Sequence, residues 1–375
     1  MNDRNGAGPE RGSRAGQFLP NGMLEDNYPR NMWWVAARAD EITDKPIARW
    51  ILELPIVLYR TADGTPAALD DRCAHRWAPL SEGRVEGSEI ICPYHGMAYG
   101  TDGACTRIPT QSDIPGAARV RSYPLRESGA FVWIWMGEPE EIANHDPPVD
   151  LSYTADPEWS VALGYYDVAA NWILIRENVL DLTHIAHLHK STFRQNDWNT
   201  VPEITQKGDV VTYRQEFGPA PLSPLFCHAM GFGETKPVSR VQVGTMASLA
   251  VSFSDWFVHD PAPEPGARSD FLMRGCHITT PGERGRTHYY WAAAFDIAGV
   301  APDVVDMTRA NVTAAFDEDK ALLERLQERT AKDPRGVDYT EINLRADGAG
   351  LRVRRVLQSR LAAESPDERQ PAPSP

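Results

Sequence analysis

The chain has 375 residues, 42% of them hydrophobic and 24% charged, with a formal net charge of −14. That length suits one large or two ordinary domains, and the composition is that of a soluble globular protein. An acidic chain offers no basic stripe for nucleic acid, and no apolar run is long enough to span a bilayer, so neither a nucleic-acid nor a membrane partner is expected.

Residues 1–19 are rich in Gly, Arg and Asn and lack the apolar run of a signal peptide, so they read as a disordered start to a cytoplasmic protein. Residues 20–139 form an all-β module: ARWILELPIVLYR, SEIICPYHG and GAFVWIWMGEP are short apolar segments broken by turn residues. EEIANHDPPVD (140–150) reads as a linker. From 151 to 363 the character changes. NWILIRENVLDLTHIAHLH (171–189) reads as helical, VTYRQEF, MASLAVSFSDWFVH and HYYWAAAF as strands, and 303–333 as one long helix with Gly336 beyond it. The fold class is therefore α+β, and the Pro-rich residues 364–375 read as a disordered tail.

Five sparse cysteines, Cys73, Cys92, Cys105, Cys227 and Cys276, do not suggest a disulfide framework. Cys73-Ala-His75 and Cys92-Pro-Tyr-His95 place two thiols and two imidazoles in two short loops. Such ligands suit zinc or iron. A structural zinc site would use all four together, and a Rieske centre would put two Cys on one iron and two His on the other. A zinc knuckle more often has two residues between the ligands of both pairs, and here the first pair has one. Gly96 permits close backbone approach and Pro93 stiffens the loop, so the flanks favour the Rieske reading.

Cys73-Ala-His75-Arg76 with Pro79-Leu80-Ser81 and Gly83, then Cys92-Pro93-Tyr94-His95-Gly96, resembles the Rieske motif of ring-hydroxylating and aromatic-dealkylating oxygenases. Met97 and Tyr99 stand where Trp and Phe are commoner, a departure expected to touch no ligand. The other three cysteines match no ligand position.

The stretch Asn178 to His189 holds three His in six residues, at 184, 187 and 189. Two His and a carboxylate with open positions make the facial triad of O2-activating Fe(II) enzymes. Helix geometry alone favours His184 with His187; His184 and His189 converge only if the helix ends or distorts between them. The spacing Asp181-x2-His184-x4-His189 is similar to the iron-binding stretch of these oxygenases, and the resemblance selects His184 and His189. For the carboxylate, Phe316, Asp319, Leu323 and Leu326 share one helical face, where an acid is costly unless paired or metal-bound. Asp317 and Glu318 lie off that face, free to be solvated. Glu318-Asp319-Lys320 also resembles the third-ligand segment of the dealkylating branch, which selects Asp319.

The resemblance spans about residues 25–330 and implies a terminal oxygenase subunit of the vanillate O-demethylase-like branch of Rieske non-haem iron oxygenases. The implied fold is an N-terminal Rieske domain followed by a helix-grip-like catalytic domain with a curved antiparallel sheet and helices. The implied cofactors are one [2Fe–2S] cluster and one mononuclear Fe(II). No GxGxxG follows a strand, so NAD(P)H chemistry is expected on a separate reductase or ferredoxin. A homotrimer is implied, with Asp181 bridging a cluster His to an iron His of the next subunit and Asn178 facing the iron. His277-x2-Thr280-Pro281-x-Glu283 resembles a pocket-lining strand of that branch, making His277 a substrate candidate, with Trp256, Phe257 and His259 behind it. The implied reaction is oxidative O- or N-dealkylation of a small aromatic with O2. The alternatives are ring cis-dihydroxylation by the same irons, a non-catalytic Rieske electron carrier, or a zinc-organised binding protein.

Overall fold

The computed structural model describes residues 28–193, 201–298, 300, 302–333 and 342–364. The expected disordered segments, 1–19 and 365–375, lie outside them. Glu364, expected in the tail, instead closes the last helix, and its carboxylate accepts the backbone N–H groups of Arg30 and Asn31, each at 2.7 Å.

Ten short strands build the first module: β1 (Trp33–Arg38), β2 (Ile47–Ile51), β3 (Leu54–Arg60), β4 (Pro66–Asp70), β5 (Arg84–Glu86), β6 (Glu89–Ile91), β7 (Ala98–Tyr99), β8 (Cys105–Arg107), β9 (Leu125–Ser128) and β10 (Phe131–Trp135). They form three antiparallel sheets, ordered β1-β10-β9, β2-β3-β4 and β5-β6-β7-β8. The run Phe-Val-Trp-Ile-Trp of β10 is buried on both faces, which explains its unbroken apolar character.

The second region contains β11 (Ser160–Val168), α1 (Trp172–Leu180), β12 (Glu203–Lys207), β13 (Val210–Ala220), α2 (Pro224–Met230), β14 (Val238–Met246), β15 (Val251–His259), β16 (Asp270–Pro281), β17 (Thr287–Phe295), α3 (Pro302–Lys332) and α4 (Gly348–Glu364). Its strands make one antiparallel sheet, ordered β11-β17-β16-β15-β14-β13-β12. All nine residues of β17 are buried because both sheet faces are covered. Trp291 and Ala293 pack toward α3 in a cluster with Phe316 and Leu323, while Tyr290 and Ala292 share a core with β1 and β10. Polar pins fix the seam between the two regions. The Tyr290 hydroxyl donates to the Ala36 carbonyl at 3.0 Å, and the Thr280 hydroxyl to the Val35 carbonyl at 2.8 Å.

Two sequence expectations change. The helix begun by Asn171, whose side chain accepts the Ile173 N–H, stops at Leu180. Asp181 takes φ −125°, ψ 97°, and its side chain starts a separate 3-10 turn, Leu182–Ala186. The apparent single strand 246–259 is β14 and β15 joined by a turn, in which the Ser248 hydroxyl accepts the N–H groups of Ala250 and Val251.

Candidate metal centres

The first centre sits on two loops, one between β4 and β5, the other between β6 and β7. Each loop closes on its own cysteine: Trp77 N–H donates to the Cys73 carbonyl at 3.0 Å, and Gly96 N–H to the Cys92 carbonyl at 3.1 Å. Gly96 has φ +72°, a conformation that suits glycine. Gly83 permits the close approach of the two arms, since a Cβ there would lie 2.1 Å from the Ile91 carbonyl oxygen. Cys73 and Cys92 are buried, and His75 and His95 are exposed above them. The two Nδ1 atoms face each other at 3.2 Å. Burial, with Cys73 alongside, pushes the Cys92 thiol up.

Two inner sulfurs and two outer imidazoles that converge through Nδ1 fit a Rieske cluster, in which the thiolates would hold one iron and the imidazoles the other. Tyr99 does touch this set, contrary to expectation. Its hydroxyl lies 3.1 Å from Cys73 Sγ and accepts the Ala74 N–H at 3.1 Å. The expectation rested on ligand positions alone, and β7 turns the Tyr99 side chain inward under the first loop.

The second centre lies where α1, the 3-10 turn and α3 meet. The break at Asp181 turns His187 to solvent and brings His189, 2% exposed, beside His184. Their rings stand 5.1 Å apart at 74°. Asp319, 6% exposed, faces both: its Oδ1 is 3.2 Å from His189 Nε2 and 3.6 Å from His184 Nε2. Atoms about 2.1 Å from a common octahedral ion stand about 3 Å apart in cis, so this set fits a divalent metal. The three residues form a group whose ligand atoms all lie within 4.8 Å of one another. Burial pushes His184 down; burial opposes the charge on His189 too, but Asp319 and Glu318 hold it up.

Each Nδ1 is fixed from behind. His184 Nδ1 lies 2.6 Å from the Asp181 carbonyl oxygen, so Asp181 meets this ligand through its backbone rather than its carboxylate. His189 Nδ1 lies 2.6 Å from Glu318 Oε2. Glu318, expected off the functional face and solvated, is therefore a part of the site that sequence reasoning missed. The other expectation for α3 also needs correction: Leu326 is 44% exposed, because the buried stripe ends at Leu323. Asn178 donates from Nδ2 to Asp319 Oδ1 at 3.0 Å, which orients the carboxylate.

The triad opens on a cavity of about 120 Å³ between α3 and the sheet, with a mostly apolar lining that includes Ile185, Phe226, Trp256, Met273, Trp291 and Phe316. His277 lines it as expected. Its Nδ1 lies 2.7 Å from the Tyr289 hydroxyl, and burial pushes its pKa down to about 4. Trp256 faces the cavity, but Phe257 and His259 do not. Alternation along β15 sends these two to the opposite face, where Phe257 is 45% exposed and His259 pairs with Asp270 at 2.9 Å.

Residues 32–124 match the Rieske [2Fe-2S] domain family, and residues 168–363 the vanillate O-demethylase oxygenase C-terminal domain family. The chain is similar to the vanillate O-demethylase oxygenase subunit of a Pseudomonas species, 31% identical over 351 residues, covering 90% of this chain and 96% of that one. It is similar also to the oxygenase component of chloroacetanilide N-alkylformylase from Rhizorhabdus wittichii, 30% identical over 347 residues, covering 90% and 97%. Its fold superposes on a crystal structure of dicamba monooxygenase with non-heme iron and dicamba, with a TM-score of 0.77 at 28% identity, covering 90% of this chain and 98% of that one. The chain belongs to the vanillate O-demethylase-like family of Rieske non-haem iron oxygenases.

Proposed function

We propose that this oxygenase removes an alkyl group from the oxygen or nitrogen of a small aromatic compound. The observation that supports this most is the placement of His184, His189 and Asp319 on one mostly apolar cavity of about 120 Å³. Cys73 and Cys92 with His75 and His95 would hold the cluster, and the triad would hold the iron. Together, when bound, these groups supply the electrons and the O2 activation that protein side chains cannot.

The side chains position and shield. Asn178 and Glu318 hold the triad's orientation, while Phe316, Trp256 and Trp291 give the cavity apolar walls that keep it dry. His277 is a candidate to meet the ring from the sheet side through Nε2, since Tyr289 occupies Nδ1. One oxygen atom enters a C–H bond of the alkyl group, and the other leaves as water with two electrons and two protons. The hemiacetal or hemiaminal then collapses to an aldehyde and the dealkylated aromatic.

The electrons would come from a separate NAD(P)H-dependent reductase or ferredoxin. The exposed His75 and His95 and the open cavity of about 370 Å³ beside Asp181 are the two faces that a relay between neighbouring subunits of a homotrimer would join. The cytoplasm suits the five unpaired cysteines. With a surrogate reductase, aryl methyl ethers and N-alkyl anilides should release formaldehyde or the matching aldehyde in step with O2 uptake. A ring diol retaining both oxygen atoms, with no aldehyde, would replace this reading with cis-dihydroxylation.

A further inference from the structure

The cavity runs along one stripe of α3: Thr308, Val312, Phe316 and Asp319, spaced i, i+4, i+8 and i+11, all line it. Asp319 marks the metal end. Thr308 marks the other, three helical turns and about 16 Å of axial rise away. Val304, one turn before Thr308, packs in an apolar cluster with Phe226 and Met273, so that end is otherwise hydrophobic.

Thr308 is 1% exposed, and among the described residues its hydroxyl has no hydrogen-bond partner. Even the usual resort of a helical threonine is unused. Thr330 on the same helix donates to the Leu326 carbonyl one turn back at 2.8 Å, but Thr308 makes no such bond. The other neutral polar side chains around the cavity are engaged: Asn178 with Asp319, Ser254 with Gln242, and His277 with Tyr289. The Trp291 N–H also lacks a partner, but it lies over Gly164 against the sheet. A buried hydroxyl without a partner is costly, and valine, which fills the same space at 312, would avoid that cost.

We propose that Thr308 anchors the far end of the substrate by a hydrogen bond. The substrate class is then a small aromatic whose oxidised alkyl carbon lies at one end and whose hydrogen-bonding group lies at the other. This rests on the dealkylase reading for which end reacts, but the anchor itself is a matter of binding.

The test uses a para-methoxy arene with a propanol tail and its twin with a propyl tail. Binding of each to the oxidised holoenzyme, which cannot turn over without reductase, is measured by calorimetry. Wild type is expected to bind the alcohol about tenfold more tightly, the worth of one neutral hydrogen bond. Thr308→Val should bind the two alike, and Thr308→Ser should restore the preference, with the cluster spectrum reporting that each variant is folded. A preference that survives in Thr308→Val, or that wild type lacks, overturns the anchor. Formaldehyde is then assayed with reductase present. Formaldehyde without any Thr308-dependent preference removes the anchor and leaves dealkylation standing. A Thr308-dependent preference with a diol product does the reverse.

Discussion

Two adjacent residues of α3 grip opposite nitrogens of one imidazole: Glu318 Oε2 lies 2.6 Å from His189 Nδ1, and Asp319 Oδ1 lies 3.2 Å from Nε2. Glu318 is itself held by the Thr192 hydroxyl at 2.8 Å. In the neutral ring that a metal requires, with Nδ1–H donated to Glu318, Nε2 is the lone-pair nitrogen, aimed where a metal would sit.

Glu318→Gln therefore weakens iron binding without removing a ligand. Losing such a supporting carboxylate costs about 10- to 100-fold in metal affinity. Iron retained after dialysis against a graded chelator series measures it. Retention equal to wild type would show that Glu318 does not support His189.

That pair also shows where sequence reasoning stops. The pairing of two thiols with two imidazoles was legible because each loop carries its own thiol and imidazole within four residues. Asp319 was legible as an acid inside an apolar stripe. Glu318 was not, since nothing local distinguishes it from a solvated neighbour; its partner lies 129 positions away in sequence. The break at Asp181 was hidden for a different reason. Its residues favour helix on both sides, and only the resemblance pointed past the His184–His187 pairing. His259 could have been excluded from the pattern alone: it is three positions from Trp256 in one strand, an odd spacing that places the two on opposite faces.

The choice among the three histidines can be checked directly. His189→Ala and Asp319→Ala should each lose mononuclear iron and turnover while the cluster's visible spectrum stays intact. His187→Ala, altering an exposed side chain, should keep both. Iron analysis of the three variants decides it, and iron loss in the His187 variant with retention in the His189 variant would restore the simple helical pairing.

Tyr99 offers a prediction about the cluster. The Ala74 N–H already donates to the phenol oxygen, and the Cys73 sulfur at 3.1 Å is a nearer acceptor for its O–H than the Met97 sulfur at 3.9 Å. Hydrogen bonds to a cluster's sulfurs raise its potential. Tyr99→Phe removes one such bond, worth about 1 kcal/mol, and so should lower the midpoint by about 40 mV for a one-electron couple. EPR-monitored redox titration measures it; an unchanged midpoint would mean that the phenol does not donate to the sulfur.

His288 couples the seam between the two regions to pH. Its Nε2–H donates to the Trp50 carbonyl of β2 at 2.8 Å, and Nδ1 accepts the Tyr165 hydroxyl at 2.9 Å, so the neutral ring joins the first module to the second. Burial, assisted by the nearby Arg49 cation, pushes its pKa down to about 4. In the unfolded chain the same ring titrates near 6.5. Between those values the unfolded state binds a proton that the folded state refuses. Stability from this group is fully present above pH ~6.5 and declines as the pH falls toward ~4, with a limiting slope of about 1.4 kcal/mol per pH unit. His288→Gln keeps a side chain that can donate to the Trp50 carbonyl but removes the titration. It should be less stable than wild type at pH 7.5, and its denaturation midpoint should fall less steeply between pH 6.5 and 5. Parallel pH profiles for the two proteins would mean that the acid sensitivity of the fold arises elsewhere.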